Sequence, residues 1–159
     1  MDSTTTISLL GGSFNPPHVG HFRIALEAFE AIRPSRLLFI PSAIPPHKPD
    51  ANLLPFSLRA AMLRAGIADM ACKGAFAVDE VEGERSGPSY TVDTLGLLAE
   101  RFAGARLSFI MGSEDYAQLS TWRRWREITE KADIVVVQRG AAQGSSFSEV
   151  TRALLPEAR

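Results

Sequence analysis

Apolar positions along this chain follow two rhythms. Short unbroken apolar runs recur between glycines and prolines: Ile7-Ser8-Leu9-Leu10, Arg36-Leu37-Leu38-Phe39-Ile40-Pro41, Ala75-Phe76-Ala77-Val78, Leu107-Ser108-Phe109-Ile110-Met111, and Ala132 to Gln138. Runs of this length and composition read as strands covered on both faces. Between them, apolar residues return every third or fourth position. Val19 to Ile32, Phe56 to Ala71 (through Leu58, Ala61, Met62 and Ala65), Tyr90 to Phe102 (through Val92, Leu95 and Leu98) and Trp122 to Lys131 therefore predict helices with one buried face. Strand and helix alternating in this way predict an α/β domain, an open parallel sheet of about five strands with helices on both faces. No internal repeat is visible.

The unusual residues sit where strands end. The first run stops at Gly11-Gly12-Ser13-Phe14-Asn15-Pro16-Pro17, and a helix then opens with His18-Val19-Gly20-His21. The first N–H groups of a helix lack internal partners and carry the positive end of its dipole, so a strand, a glycine turn and a helix start together make a seat for phosphate. His18 and His21 are three apart, which puts both imidazoles on one face of that helix start. The second run ends at Pro41-Ser42 and the fourth at Gly112-Ser113. Ligands of open α/β sheets bind beyond the carboxyl ends of the strands, so these three ends converge on one site. The glycine turn is neither the G-x-G-x-x-G dinucleotide fingerprint nor a Walker A loop.

Composition narrows the ligand class. The 159 residues fit one domain, with 45% hydrophobic and 22% charged residues, as in an ordinary water-soluble globule. The formal net charge of −1 lacks the basic excess that a long polyanion demands, which argues against DNA or RNA as partner and leaves a small anionic ligand open. The single cysteine, Cys72, allows no intrachain disulfide and fits a reducing compartment. No apolar stretch approaches the roughly 20 residues of a membrane helix, and residues 1–6 carry no basic-then-apolar leader pattern. The expectation is a cytoplasmic protein without membrane attachment.

Several segments together resemble one family. Gly11 to His21 is similar to the (H/T)-x-G-H signature of the nucleotidyltransferase superfamily, in the form found in bacterial nicotinate mononucleotide adenylyltransferases. Pro45-Pro46-His47-Lys48, Ser89-Tyr90-Thr91-Val92-Asp93-Thr94-Leu95, Phe109 to Glu114 with Trp122 downstream, and Val135 to Gly140 resemble the same branch. The resemblance runs from about Ile7 to Gly140 and implies a Rossmann-like fold. It implies transfer of AMP from ATP to nicotinate mononucleotide, a step of NAD biosynthesis, with Mg²⁺ arriving on the nucleotide because no carboxylate cluster suggests a protein-held metal. His18 and His21 would be the catalytic donors to the ATP phosphates. Gly11, Gly12, Ser13, Phe14, Gly20, Gly112 and Arg139 would surround ATP. His47, Lys48, Thr91, Glu114 and Trp122 would hold the mononucleotide, with Trp122 stacking on the pyridine and N–H groups around Thr91 meeting its carboxylate. Ser89 reads as a cap for the third helix, and Trp125 as a core residue. Transfer between phosphates needs no serine or cysteine nucleophile, and Cys72 is not set up as one.

Two departures qualify the resemblance. Where the family has aspartate two residues after the strand glycine, this chain has Glu114 followed by Asp115. The late S-S/T-T-x-x-R motif, which opens a helix and grips phosphates, has no counterpart around Ser145-Ser146-Phe147-Ser148 or Thr151-Arg152. Either the usual C-terminal end is missing from the single domain expected over residues 1–159, or it has diverged. The alternatives are a phosphopantetheine adenylyltransferase-like enzyme and a non-catalytic nucleotide-binding relative.

Overall fold

Five parallel strands build the sheet: β1 (Thr6–Gly12), β2 (Arg36–Pro41), β3 (Phe76–Val78), β4 (Arg106–Gly112) and β5 (Asp133–Val137). A sixth, β6 (Val150–Ala153), joins the β5 edge antiparallel. The order is β3-β2-β1-β4-β5-β6. The structure, a computed structural model, describes residues 4–46, 52–71, 73–138 and the backbone of 150–153.

The two faces of the strands are both covered, as their unbroken apolar runs require. Ile7, Leu9, Leu38, Ile40, Phe109, Met111, Ile134 and Val136 point to one side, where α3 (Thr91–Arg101) and α5 (Trp125–Lys131) supply Val92, Leu95, Leu98 and Ile128. Leu10, Leu37, Phe39, Ile110, Val135 and Val137 point to the other, where α1 (Val19–Ile32) and α2 (Phe56–Ala68) supply Ala25, Ala28, Leu63 and Ile67. Ser8 and Ser108 interrupt the apolar runs at matched positions of β1 and β4. Their buried hydroxyls bond each other at 2.6 Å, so neither is left orphaned.

The predicted elements are present, with differences at particular places. α1 and β2 occupy the expected residues. β3 is confined to three residues, Ala75 being left out of it, and Val81–Glu84 turns as a 3₁₀ helix. α5 starts at Trp125, not Trp122, because Arg124 takes a left-handed conformation (φ 52°) and Trp122 is extended. A five-residue helix, α4 (Ser113–Ala117), follows β4 directly; it is too short to register as a periodicity. The antiparallel β6 was likewise not expected from the sequence.

The strand order places β1 at the reversal point, between β2 on one side and β4 on the other. Crossovers leave β1 and β4 toward opposite faces, so a crevice opens beyond their carboxyl ends. Gly11, Gly12 and Gly112 are at that crevice.

Candidate active site

A cavity of about 620 Å³ occupies the crevice. Gly11, Gly12, Ser13 and His21 line it from the β1–α1 turn, Ser42 from the end of β2, and Ser89, Tyr90 and Thr91 from the start of α3. Gly112, Glu114, Asp115, Trp122 and Arg123 close the β4 side. Its volume suits a nucleotide-sized ligand.

The two histidines form one structural unit. His18 is the N-cap of α1, and its Nδ1 accepts the Gly20 N–H at 3.1 Å. His21, three residues on, returns the bond: its Nδ1 accepts the His18 N–H at 3.0 Å. This is a capping box built from imidazoles in place of serine and glutamate. The rings stack with centroids 3.8 Å apart and 27° between planes. Each Nδ1 is an acceptor here, so the neutral ring carries its proton on Nε2. The first turn of α1 holds no acidic residue, so nothing on the helix itself cancels the positive dipole end. Rings close together and shared by one helix start are the arrangement that the spacing predicted.

Gly20 has a steric reason to be glycine. A Cβ at that position would lie 2.9 Å from His18 Cε1 and 3.0 Å from its Nδ1. Phe14 contributes differently from the glycines around it. Its ring is buried (1% exposed) among core residues and packs edge-on to His21, with centroids 4.9 Å apart. The Phe14 side chain thus backs the His21 imidazole and does not itself line the cavity.

Arg59, which the sequence did not single out, holds the turn from behind. This α2 guanidinium is 1% exposed, and burial pulls its pKa below the ordinary value. Nη1 donates to the carbonyls of Ser13 and Ser42, each at 2.7 Å, and Nε to Leu54 O at 2.9 Å. One planar, five-donor group thereby fixes the loops after β1 and β2 against each other. Asn15 adds a second tie: it accepts the Leu54 N–H at 2.8 Å and donates to Asn52 O at 2.9 Å.

On the far wall, Ser89 does not cap α3 as expected. Tyr90 is the N-cap residue, with no side-chain cap bond. The Ser89 hydroxyl instead accepts the N–H groups of Ala43 and Ile44, each at 3.2 Å, and its own N–H donates to Ile44 O at 2.9 Å. The need for partners in the β2–α2 loop outweighs the local cap, because those N–H groups would otherwise be left without one. Behind this seam lies Glu82, another residue missed from sequence. It is 6% exposed, and Thr94 Oγ1 donates to its Oε1 at 2.8 Å. Burial raises its pKa to about 7, against the opposing pull of the Thr94, Ser89 and Ser42 hydroxyls and the Arg85 charge.

The other expected site residues fall as follows. Thr91 begins α3 and lines the cavity. Glu114 and Asp115 both stand in the first turn of α4 and both face the cavity, so either carboxylate is placed to reach a ligand. Trp122 lines the cavity, edge-on to Phe109 at 6.5 Å. Trp125 packs against the core, with the Arg126 guanidinium 4.7 Å from its ring centre. His47, Lys48, Arg139 and Cys72 lie outside the described residues. Among the described lining residues the arginine is Arg123, whose guanidinium sits 4.7 Å over the Tyr90 ring. Among the described residues, no three His, Cys, Asp or Glu side chains cluster to hold a metal ion, and no helix is long and apolar enough to cross a membrane.

A β3-β2-β1-β4-β5 parallel sheet with a glycine turn and paired imidazoles at its reversal point defines an open α/β domain whose candidate site lies beyond the carboxyl ends of β1 and β4. The chain belongs to the cytidylyltransferase-like family, which it matches over residues 9–156. It is 45% identical over 137 residues to a protein of Pelobacter propionicus named "Probable nicotinate-nucleotide adenylyltransferase", covering 86% of this chain and 62% of the relative. A protein of the same name from Halorhodospira halophila is 44% identical, with 88% and 62% covered. The chain thus spans about six-tenths of the length of these relatives. In fold it is similar to the Plasmodium falciparum nicotinic acid mononucleotide adenylyltransferase complexed with NaAD, with a TM-score of 0.77, 18% identity, and 89% of this chain and 68% of that one covered.

Proposed function

We propose that this protein transfers the adenylyl group of ATP to nicotinate mononucleotide, giving nicotinic acid adenine dinucleotide and pyrophosphate. The observation that carries this reading is the stacked His18–His21 pair at the start of α1, of which His21 lines a cavity whose opposite wall is the Ser89-Tyr90-Thr91 segment. The names of relatives above 40% identity support it.

In the reaction, a phosphate oxygen of the mononucleotide attacks the α-phosphorus of ATP. A new P–O bond forms, the bond to the β-phosphate oxygen breaks, and pyrophosphate leaves with that electron pair. Two anions must be brought together and the charge on the transferred group and leaving group offset. The Nε2–H groups of His18 and His21 and the N–H groups at the start of α1 donate to the ATP phosphates. The helix dipole adds to the same field. Trp122 offers its face to the pyridine ring, and the N–H groups at the start of α3 meet the ring's carboxylate. The cavity's donors suit phosphate oxygens, and Mg²⁺ fits this site as an ion carried by the triphosphate, where it neutralises charge. Dependence on ATP as co-substrate suits a cytoplasmic setting.

The test is pyrophosphate release from ATP with nicotinate mononucleotide, nicotinamide mononucleotide and phosphopantetheine offered in turn. Release with nicotinate mononucleotide preferred over the other acceptors is expected. Preference for phosphopantetheine, or ATP binding with no release under any acceptor, overturns the reading.

A further inference from the structure

We propose that Glu82 is a positioning residue that holds the acceptor-side wall of the cavity, the 42–44 and 89–91 segments, in binding geometry, and that it does so as the carboxylate. The inference rests on the functional reading above for the identity of the acceptor, but its geometry does not.

Glu82 sits where three segments meet. Its Oε1 takes the Thr94 hydroxyl of α3, and Arg85 donates to the same hydroxyl at 2.6 Å. The Ser42 and Ser89 hydroxyls lie near enough to favour its charged form. Ser89 is itself the seam, accepting two N–H groups from the neighbouring loop through its lone pairs. With both acceptor sites taken, its proton is directed toward Glu82. Glu82 Oε2 is buried without a completed hydrogen bond, although the residue borders the cavity. A carboxylate surrounded by hydroxyl donors keeps the seam drawn inward. A neutral carboxyl is itself a donor and competes with Ser42 and Ser89 for acceptors.

The charged groups around Glu82 are accounted for on each side. Arg85 follows it in the chain and lies 4.0 Å from Asp93 of α3, which Arg124 approaches at 3.9 Å. Asp79 and Glu80, before it, are tied to Arg101 and Arg64, and Glu84 lies on its own turn. Across the cavity stand His21, Glu114, Asp115 and Arg123. Burial raises Glu82's pKa to about 7, so the charge of this wall changes near neutral pH.

The test compares wild type, Glu82→Gln and Ser89→Ala. Nicotinate mononucleotide binding is followed by tryptophan fluorescence from about pH 6 to about pH 8.5, a range that brackets the Glu82 titration. Amide hydrogen exchange at Ala43 and Ile44 is measured without ligand. Wild-type affinity should fall about tenfold per pH unit below 7 beyond any loss that Glu82→Gln shows. Glu82→Gln should raise the KM for the mononucleotide about tenfold or more, with kcat and the KM for ATP changing much less. Both variants should speed exchange at Ala43 and Ile44. Unchanged exchange, with binding as tight and as pH-sensitive in Glu82→Gln as in wild type, overturns the inference. So does a fall in kcat alone. Should wild type release no pyrophosphate with nicotinate mononucleotide, the functional reading fails, and exchange at Ala43 and Ile44 still decides the role of Glu82.

Discussion

Replacing His18 separates what the residue does for the fold from what it does for the reaction. As N-cap it accepts the Gly20 N–H at 3.1 Å, and its own N–H satisfies His21 Nδ1. In His18→Ala the backbone bond to His21 can persist, but the Gly20 N–H loses its acceptor. Loss of an N-cap side chain costs about 1 kcal/mol, which in a domain of this size lowers the melting temperature by about 2–4 °C. Asparagine is among the best N-cap residues, so His18→Asn should melt within about a degree of wild type. Neither substitute presents a donor where the imidazole Nε2 stands. A single lost donor to developing charge typically slows turnover by about 10²–10³-fold, or roughly 3–4 kcal/mol. Both variants should therefore lose turnover alike while differing in stability. Pyrophosphate release and thermal melting on the same preparations provide the measurement. Turnover near wild type in His18→Asn would refute the catalytic part of the reasoning. Equal melting of the Ala and Asn variants would refute the capping part.

Three other perturbations bear on the site. Gly20→Ala should lose turnover and melt no higher than wild type, because the new Cβ lies 2.9 Å from the His18 ring and displaces the cap, offsetting the gain of up to about 1 kcal/mol in helix propensity; kcat and melting temperature check the two effects. Arg59→Met leaves the Ser13, Ser42 and Leu54 carbonyls without their donor. At about 1–3 kcal/mol for each buried orphan, it should cost roughly 3 kcal/mol or more in a denaturant titration, and Arg59→Lys should recover little, since one ammonium cannot span the fork. Glu82 sets a pH dependence of stability: raised from its usual 4.5 to about 7 by burial, it binds more protons folded than unfolded between those values. Stability from this group therefore falls as pH rises through that window and levels off above it. Glu82→Gln should gain on wild type by about 3 kcal/mol between pH 4 and pH 8. A constant difference across that range would show that the carboxyl is not desolvated.

Much of this architecture was written locally. The runs through Leu9, Phe39, Ile110 and Val135 are apolar at nearly every position because both faces of a parallel strand are covered, and that signal needs no tertiary information. The i, i+3 spacing of His18 and His21 fixed one shared helix face, and the structure stacks the rings there. Boundaries slipped where a local rhythm met a distant demand. Trp122 fits the apolar spacing of α5 yet is extended and outside the helix.

What only the folded chain decided is which polar residues serve the site from behind. Arg59 lies mid-helix in a run of ordinary composition, and Glu82 lies in a turn rich in charge. Neither has a spacing that marks it, because its partners are far away in sequence: Ser13 and Ser42 for one, Ser42, Ser89 and Thr94 for the other. Ser89 reads as a helix cap until the loop at Ala43 and Ile44 arrives to claim its oxygen. Periodicity records which side of an element meets the core, since burial acts on each residue through its own hydrophobicity. Hydrogen bonding between loops depends on pairs brought together by the strand order, and a single sequence carries no local trace of a pair.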